Sequence, residues 1–134
     1  MPALPPLTLK KEERICSKLL IEKLFNGNQS RSLASYPLRV VYLKKERQAA
    51  EQPVQLLISV PKRNLRRAVD RNRVKRQIRD AYRRNKHLLT SALALHPDIT
   101  LALAIIWLDS QIAETSLVEK KIKNILQRIS ETPI

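Results

Sequence analysis

The sequence predicts an α/β (α+β) sandwich in which helices cover a mixed central sheet, with the element order α-β-β-α-β-α. Ile99–Leu108 is apolar on both faces of a predicted strand, which is typical of a buried, central strand. Val54–Val60 alternates apolar residues with others, which indicates a strand with one buried face. Two longer segments, 74–89 and 118–129, repeat apolar residues at three- and four-residue steps, as amphipathic helices do.

The chain is predicted to form one domain between two short terminal segments, and its 134 residues are enough for a substantial core. Residues 1–8 include three Pro and are expected to form a mobile arm. Residues 9–130 form the predicted domain, and residues 131–134 form a tail. The sequence has neither an apolar run long enough for a transmembrane helix nor the basic-then-apolar order of a signal peptide. We therefore expect a cytoplasmic protein without a membrane partner.

A short helix is predicted near the start of the domain. Ser17 is suited to cap it, Lys18–Phe25 contains its apolar side, and Gly27 is a natural stop. Cys16 lies in an apolar setting and is expected to be a small core residue. A lone Cys cannot form an internal disulfide, which agrees with a reducing compartment.

Two strands are predicted in the first half of the chain. Tyr36–Leu43 is rich in β-branched and aromatic residues, and Val54–Val60 shows the alternation described above. Residues 26–35 are interpreted as a loop, and the charged segment 44–53 connects the two strands. Because a short segment separates them, the two strands are expected to pair as an antiparallel hairpin.

Most of the net charge lies in the segment between the second and third predicted strands. Residues 62–86 contain twelve Lys or Arg and two Asp, so they carry +10 of the net charge of +14. A helix is predicted to run through this segment to about Thr90. Its apolar face comprises Val74, Ile78, Ala81, Tyr82, Asn85, Leu88 and Leu89. Its opposite face, called the basic face below, comprises Asn72, Lys75, Arg76, Arg79, Arg83 and Lys86.

The basic face requires a counter-charge. Like charges four residues apart, such as Lys75 and Arg79, destabilise an isolated helix. A purely solvated surface is the alternative, but so many cations with so few acids favour a bound polyanion. Arg side chains bind phosphates through paired hydrogen bonds, and Lys side chains act as point charges. The pattern therefore predicts contact with the phosphate backbone of a nucleic acid.

The last helix is predicted from the capping box Ser116-x-x-Glu119. Its apolar face comprises Val118, Ile122, Ile125, Leu126 and Ile129. Its cations are Lys120, Lys121, Lys123 and Arg128. We interpret these cations as a solvated face, with a secondary RNA contact as the alternative.

Composition excludes several classes of site. The single Gly excludes a P-loop and a Gly-rich dinucleotide loop. One Cys and two His leave no set of ligands for a Cys/His zinc site. His87 and His96 are interpreted as surface residues, and no paired carboxylates accompany either of them. We therefore expect neither a metal site nor catalysis by protein side chains.

The segment Ala68–Asp80, AVDRNRVKRQIRD, closely resembles the Arg-Asn-Arg signature of the bacterial ribonuclease P protein component. The likeness comprises an Ala-Val pair, Arg71-Asn72-Arg73, an aliphatic residue, Lys75-Arg76 and Arg79. Two positions depart from the family, since Asp80 stands where Glu is usual and Arg67 where Gly is frequent. Weaker likenesses, in the early helix and at the two first strands, extend over most of the chain.

The resemblance implies a protein subunit of ribonuclease P, which removes the 5′ leader from precursor tRNA. It implies that the RNA subunit is the catalyst, that Mg²⁺ is held mainly by RNA, and that no protein partner is obligatory. It also implies a left-handed βαβ crossover. The RNA-binding residues that it indicates are Arg71, Asn72, Arg73, Lys75, Arg76, Arg79 and Arg83, with Lys62, Arg63, Arg66 and Arg67 as additional cations.

The family also implies a cleft for the single-stranded leader, between the sheet and the basic helix. The candidates for its lining are Phe25, Tyr36, Arg39 and Lys62. Without the resemblance, the sequence context of Phe25 would favour a core position.

Three other functions are weighed against this one. A structural rRNA-binding protein would share the basic helix but would have no affinity for precursor tRNA or its leader. A DNA-binding helix-turn-helix protein needs a second helix where Val54–Val60 alternates as a strand. An enzyme acting alone would need an active site that the composition does not offer.

Overall fold

A four-stranded mixed sheet organises the part of the chain that the computed structural model describes, which is residues 18–26, 30–48 and 51–131. The elements are α1 (Lys18–Asn26), β1 (Arg31–Ser35), β2 (Leu38–Glu46), β3 (Val54–Ser59), α2 (Ala68–Asn85), α3 (His87–Leu93), β4 (Ile99–Trp107) and α4 (Thr115–Glu131). The strand order is β1-β2-β4-β3, with β3 parallel to β4 and the other neighbours antiparallel. The predicted fold class is confirmed. The hand of the crossover from β3 to β4 stays a prediction.

β4 is central because both of its faces are apolar. Leu103, Ile105 and their alternate neighbours face the large core shared with α2 and α4. Ala102 and Ala104 face the other side, where they pack with Leu20 and Leu24 of α1. Small side chains on that side let α1 lie close to the sheet, while large side chains fill the space below the two longer helices.

The predicted hairpin between the first two strands is wrong, because β4 lies between β2 and β3. β2 pairs with β4 along its length, from Leu38 opposite Trp107 to Glu46 opposite Ile99. The most apolar strand takes an interior position, where helices on the two sides of the sheet bury both of its faces. The two strands that were expected to pair become neighbours of β4 instead.

The antiparallel hairpin of this protein is formed by β1 and β2, within residues that were predicted as a loop and the start of a strand. Tyr36 and Pro37 make the turn between the two strands, and the peptide bond that joins them is cis. β1 contains one large apolar residue, Leu33, which packs against the large core. With so little apolar content, β1 gives no strand signal of its own and depends on pairing with β2.

The predicted basic helix is divided in two at Lys86, where α2 ends and α3 begins. The amide of Asn85 donates to the carbonyl oxygen of Ala81 at 2.8 Å. A side-chain bond to the carbonyl four residues earlier competes with the backbone ladder of a helix. The break falls directly after this residue, Asn85.

The last helix is confirmed, but its predicted capping box is wrong. α4 begins at Thr115, and the N–H groups of Leu117 and Val118 both donate to the carbonyl oxygen of Glu114. Ser116 therefore lies inside the first turn of α4. Every residue of the predicted apolar face of this helix is buried.

Several predictions concern residues outside the described ranges. They are the arm at 1–8, the cap at Ser17, the core position of Cys16 and the stop at Gly27. The predicted tail also falls almost wholly outside, since the described chain ends at residue 131. The first helix itself is confirmed as α1.

Candidate nucleic-acid interface

The apolar face predicted for the basic helix is the face that packs on the sheet. Val74, Ile78 and Tyr82 are fully buried in the large core, and Leu89 continues that face into α3. Leu88 is half-buried against the same core. With one side of α2 fixed in this way, the basic face must lie away from the sheet.

The exposure of the predicted RNA-binding residues divides them into two groups. Asn72, Arg73, Arg76 and Arg79 are exposed, and so are the additional cations Lys62, Arg63, Arg66 and Arg67. The half-buried members are Arg71, Lys75 and Arg83. The exposed cations therefore extend from the loop before α2 along the helix as far as Arg79.

Two salt bridges reduce the charge on one flank of α2. Arg83 binds the carboxylate of Asp80, one turn earlier on the same helix. Arg84 binds Glu119 of α4 through two hydrogen bonds, with Nε to Oε1 at 2.9 Å and Nη2 to Oε2 at 3.3 Å. Both pairs are partly exposed and contribute little stability. Their effect is to leave Arg76 and Arg79 as exposed cations on the remainder of the basic face.

Gln77 is a buried polar residue of α2 that the sequence did not single out. Its amide nitrogen donates to the carbonyl oxygen of Ala113 at 3.0 Å and to the hydroxyl of Thr115 at 3.1 Å. These bonds connect α2 to the start of α4. The only signal available in the sequence was the position of Gln77 beside Ile78 on the buried side of the predicted helix.

Core side chains fill the space between the sheet and α2, and the leader cleft stays a prediction. Val40 and Ile105 of the sheet pack directly with Val74 and Ile78 of α2. The opposite face of the sheet, beside α1, is covered less completely. There Leu57 and Ile106 are only half-buried.

All four leader candidates are exposed. Phe25 projects from α1 with 46 % of its surface exposed, which excludes the alternative that it is a core residue. Arg39 is exposed and pairs across the strands with Ile106. Lys62 is exposed in the loop after β3. Arg39 lies on the α1 side of the sheet, because it alternates along β2 with Leu38 and Val40, which face the large core.

Tyr36 stands at the turn between β1 and β2, with 63 % of its surface exposed. Partial desolvation, the charge of the Asp109 carboxylate and a hydrogen bond to that carboxylate raise the pKa of Tyr36 above its usual value of 10.0. The phenol is therefore protonated at neutral pH and donates a hydrogen bond to the Asp109 carboxylate. Its ring remains available to stack on a base.

The described residues contain no cluster of three or more His, Cys, Asp or Glu that could hold a metal ion. Over the same ranges, no helix is both long and apolar enough to cross a membrane. His87 is exposed and His96 is half-buried.

Comparisons with known proteins agree with this architecture. Residues 9–130 match the model of the family Ribonuclease P. The ribonuclease P protein component of Porphyromonas gingivalis (strain ATCC 33277) is 39% identical over 123 residues, which span 91% of this chain and 86% of that protein.

Two solved structures are similar in fold. The RNase P protein of Staphylococcus aureus superimposes with a TM-score of 0.65 at 21% identity and covers 89% of this chain and 95% of its own. The RNase P protein of Thermotoga maritima superimposes with a TM-score of 0.60 at 24% identity, and the match covers 87% of this chain and 96% of that protein's chain. The family match over nearly the whole chain, together with the P. gingivalis relative, shows that this chain belongs to the ribonuclease P protein family.

Proposed function

We propose that this chain is the protein subunit of a ribonuclease P ribonucleoprotein, which removes the 5′ leader from precursor tRNA. The observation that carries the proposal is the exposed set of cations on α2 and its preceding loop, in a chain that belongs to this family. Phosphates of the catalytic RNA supply the counter-charge that these side chains need. Arg76 and Arg79 are the strongest candidates, because both are exposed on the basic face.

In this proposal the RNA subunit performs the cleavage. Mg²⁺ is held mainly by RNA phosphates, and the protein binds no cofactor of its own. The protein neutralises backbone charge, so that RNA helices and substrate approach one another with less repulsion. Its partners are therefore the ribonuclease P RNA and the precursor tRNA.

Cleavage of a precursor tRNA by a bacterial ribonuclease P RNA at low Mg²⁺, with and without this protein, tests the assignment. We expect strong stimulation with release of the 5′ leader, because protein cations replace part of the Mg²⁺ requirement. Protein alone should give no cleavage. Tight binding to structured RNA without stimulation would favour the structural rRNA-binding function, and robust cleavage by pure protein would contradict catalysis by RNA.

We further propose that the leader lies on the sheet face beside α1, against Phe25, Arg39 and Lys62, with Tyr36 at the end of this surface. The support is the exposure of these side chains next to the half-buried Leu57 and Ile106. Aromatic rings bind unpaired bases by stacking, and the cations follow the backbone of the strand.

Phe25→Ala should weaken binding of a precursor tRNA with a long leader by about 1–3 kcal/mol, because one stacking interaction is removed. Binding of a precursor whose leader is cut to one nucleotide should not change. The exposure of Phe25 makes a large loss of protein stability unexpected, and thermal unfolding of the variant checks this. Equal losses for both substrates would place Phe25 outside the leader site.

A further inference from the structure

Arg71, the first arginine of the Arg-Asn-Arg signature, is directed at the protein's own backbone. Its Nη1 donates to the carbonyl oxygen of Leu65 at 2.9 Å and to that of Arg66 at 2.7 Å. A terminal guanidinium nitrogen has two hydrogens, so these two bonds use both. The neighbouring Asn72 and Arg73 are exposed, whereas Arg71 is half-buried.

The segment that receives these bonds leads into α2 without a capping side chain. Arg67 occupies the N-cap with φ −82° and ψ 128°, and its side chain makes no capping hydrogen bond. The N–H of Arg71 donates to the carbonyl oxygen of Arg67, which is the first helical bond. Arg71 is thus bound to the preceding segment through both its main chain and its side chain.

Two further contacts fix the same segment, residues 61–67. Leu65 is inserted into the core, with 4 % of its surface exposed. The side-chain amide of Asn64 donates to the carbonyl oxygen of Trp107, at the end of β4, at 2.8 Å. A local turn adds the N–H groups of Asn64 and Leu65, which both donate to the carbonyl oxygen of Pro61.

The side chains that this segment leaves exposed are all cations, namely Lys62, Arg63, Arg66 and Arg67. Long cationic side chains on an unfixed loop would lose conformational freedom when they bind a polyanion. Fixing the backbone beforehand removes part of that cost. The contacts of Arg71 and Asn64 do this in the free protein.

We propose that Arg71 and Asn64 are positioning residues, which hold segment 61–67 so that its four cations and those of α2 form one fixed surface for RNA. Arg71 acts through the carbonyl oxygens of Leu65 and Arg66 and does not itself neutralise a phosphate. This inference rests on the proposed RNA-binding function.

The test compares three variants in binding to a bacterial ribonuclease P RNA over a range of salt concentrations. Arg71→Gln removes a charge, Asn64→Ala removes an anchor without changing charge, and Arg76→Ala removes an exposed cation of the basic face. Amide hydrogen exchange of residues 62–67 is measured in the free proteins. This second measurement reports how readily the backbone of the loop opens when no RNA is present.

We expect Arg71→Gln and Asn64→Ala each to weaken binding about tenfold, which corresponds to about 1.4 kcal/mol. The slope of log K against log salt, called the salt slope here, should stay unchanged in both variants. Both should accelerate exchange in segment 62–67. In the double variant, the loss should be smaller than the product of the two, because both residues fix one segment. Arg76→Ala should lower the salt slope by about one unit and leave exchange unchanged.

Two results would overturn the inference. A slope reduced by about one unit in Arg71→Gln, with normal binding by Asn64→Ala, would make Arg71 a direct phosphate ligand. Unchanged exchange of segment 62–67 in both variants would show that the contacts do not fix the loop. Failure of the RNA-binding proposal itself would appear separately, as an unchanged slope in Arg76→Ala.

Discussion

Replacing Arg76 and Arg79 together by Ala should weaken binding of ribonuclease P RNA by roughly 100-fold near 0.1 M salt, on the order of tenfold for each phosphate that no longer has a cation beside it. Both side chains are exposed on the basic face, whereas neighbouring Arg83 is already bound to Asp80. The slope of log K against log salt should become shallower by about 1.8. Filter binding or fluorescence anisotropy at four or more salt concentrations measures both quantities.

The matched control is Lys120→Ala with Lys123→Ala on α4. It lowers the net charge by the same amount, and both side chains are exposed. If α4 presents a solvated face, affinity and slope should stay close to those of the unaltered protein. An equal effect of the two double variants would mean that binding follows total charge, and would remove the special role proposed for α2.

Trp107→Ala should destabilise the protein by about 3–5 kcal/mol, because removal of the indole leaves a cavity in a packed core. Trp107 is fully buried at the end of β4, where it stands opposite the buried Leu38 of β2. Domains of this kind have only about 5–15 kcal/mol of stability in total, so the variant should be partly unfolded on mild heating. Urea denaturation followed by circular dichroism measures the change.

Leu95→Ala provides the control for this prediction. Leu95 has 83 % of its surface exposed, so its truncation should change the free energy of unfolding by less than about 0.5 kcal/mol. A loss below about 1 kcal/mol for Trp107→Ala would mean that the core closes around the missing ring.

The sequence was most informative where the determining interactions are local. The periodicity of residues 74–89 predicted which face of α2 would be buried, and the apolar content of Ile99–Leu108 predicted the central strand. β1 was missed because Arg31–Ser35 becomes a strand only through its pairing with β2. The pairing of β2 with β3 was wrong because strand order depends on non-local contacts, here the position of β4.

In the candidate site, too, local features were predictable and contacts between distant residues were not. Residue types and spacing were sufficient to predict the buried and the basic faces of α2. They could not indicate that Arg84 binds Glu119, that Gln77 binds the start of α4, or that Arg71 binds the loop before its own helix. Each of these bonds depends on side-chain direction or on an element distant in sequence. Nor could residue types and spacing indicate how completely core side chains fill the space between α2 and the sheet.

The crowding of like charges on α2 has a consequence for the protein without its RNA. Lys75, Arg79 and their cationic neighbours repel one another in the folded state, where the helix holds them at fixed spacing. Dissolved salt screens this repulsion, and the unfolded chain, in which the charges spread apart, benefits less. The same ions that separate the protein from RNA should therefore stabilise the free fold. Salt is therefore expected to act in opposite directions on folding of the free protein and on the proposed binding of RNA, in which RNA phosphates would replace the screening ions.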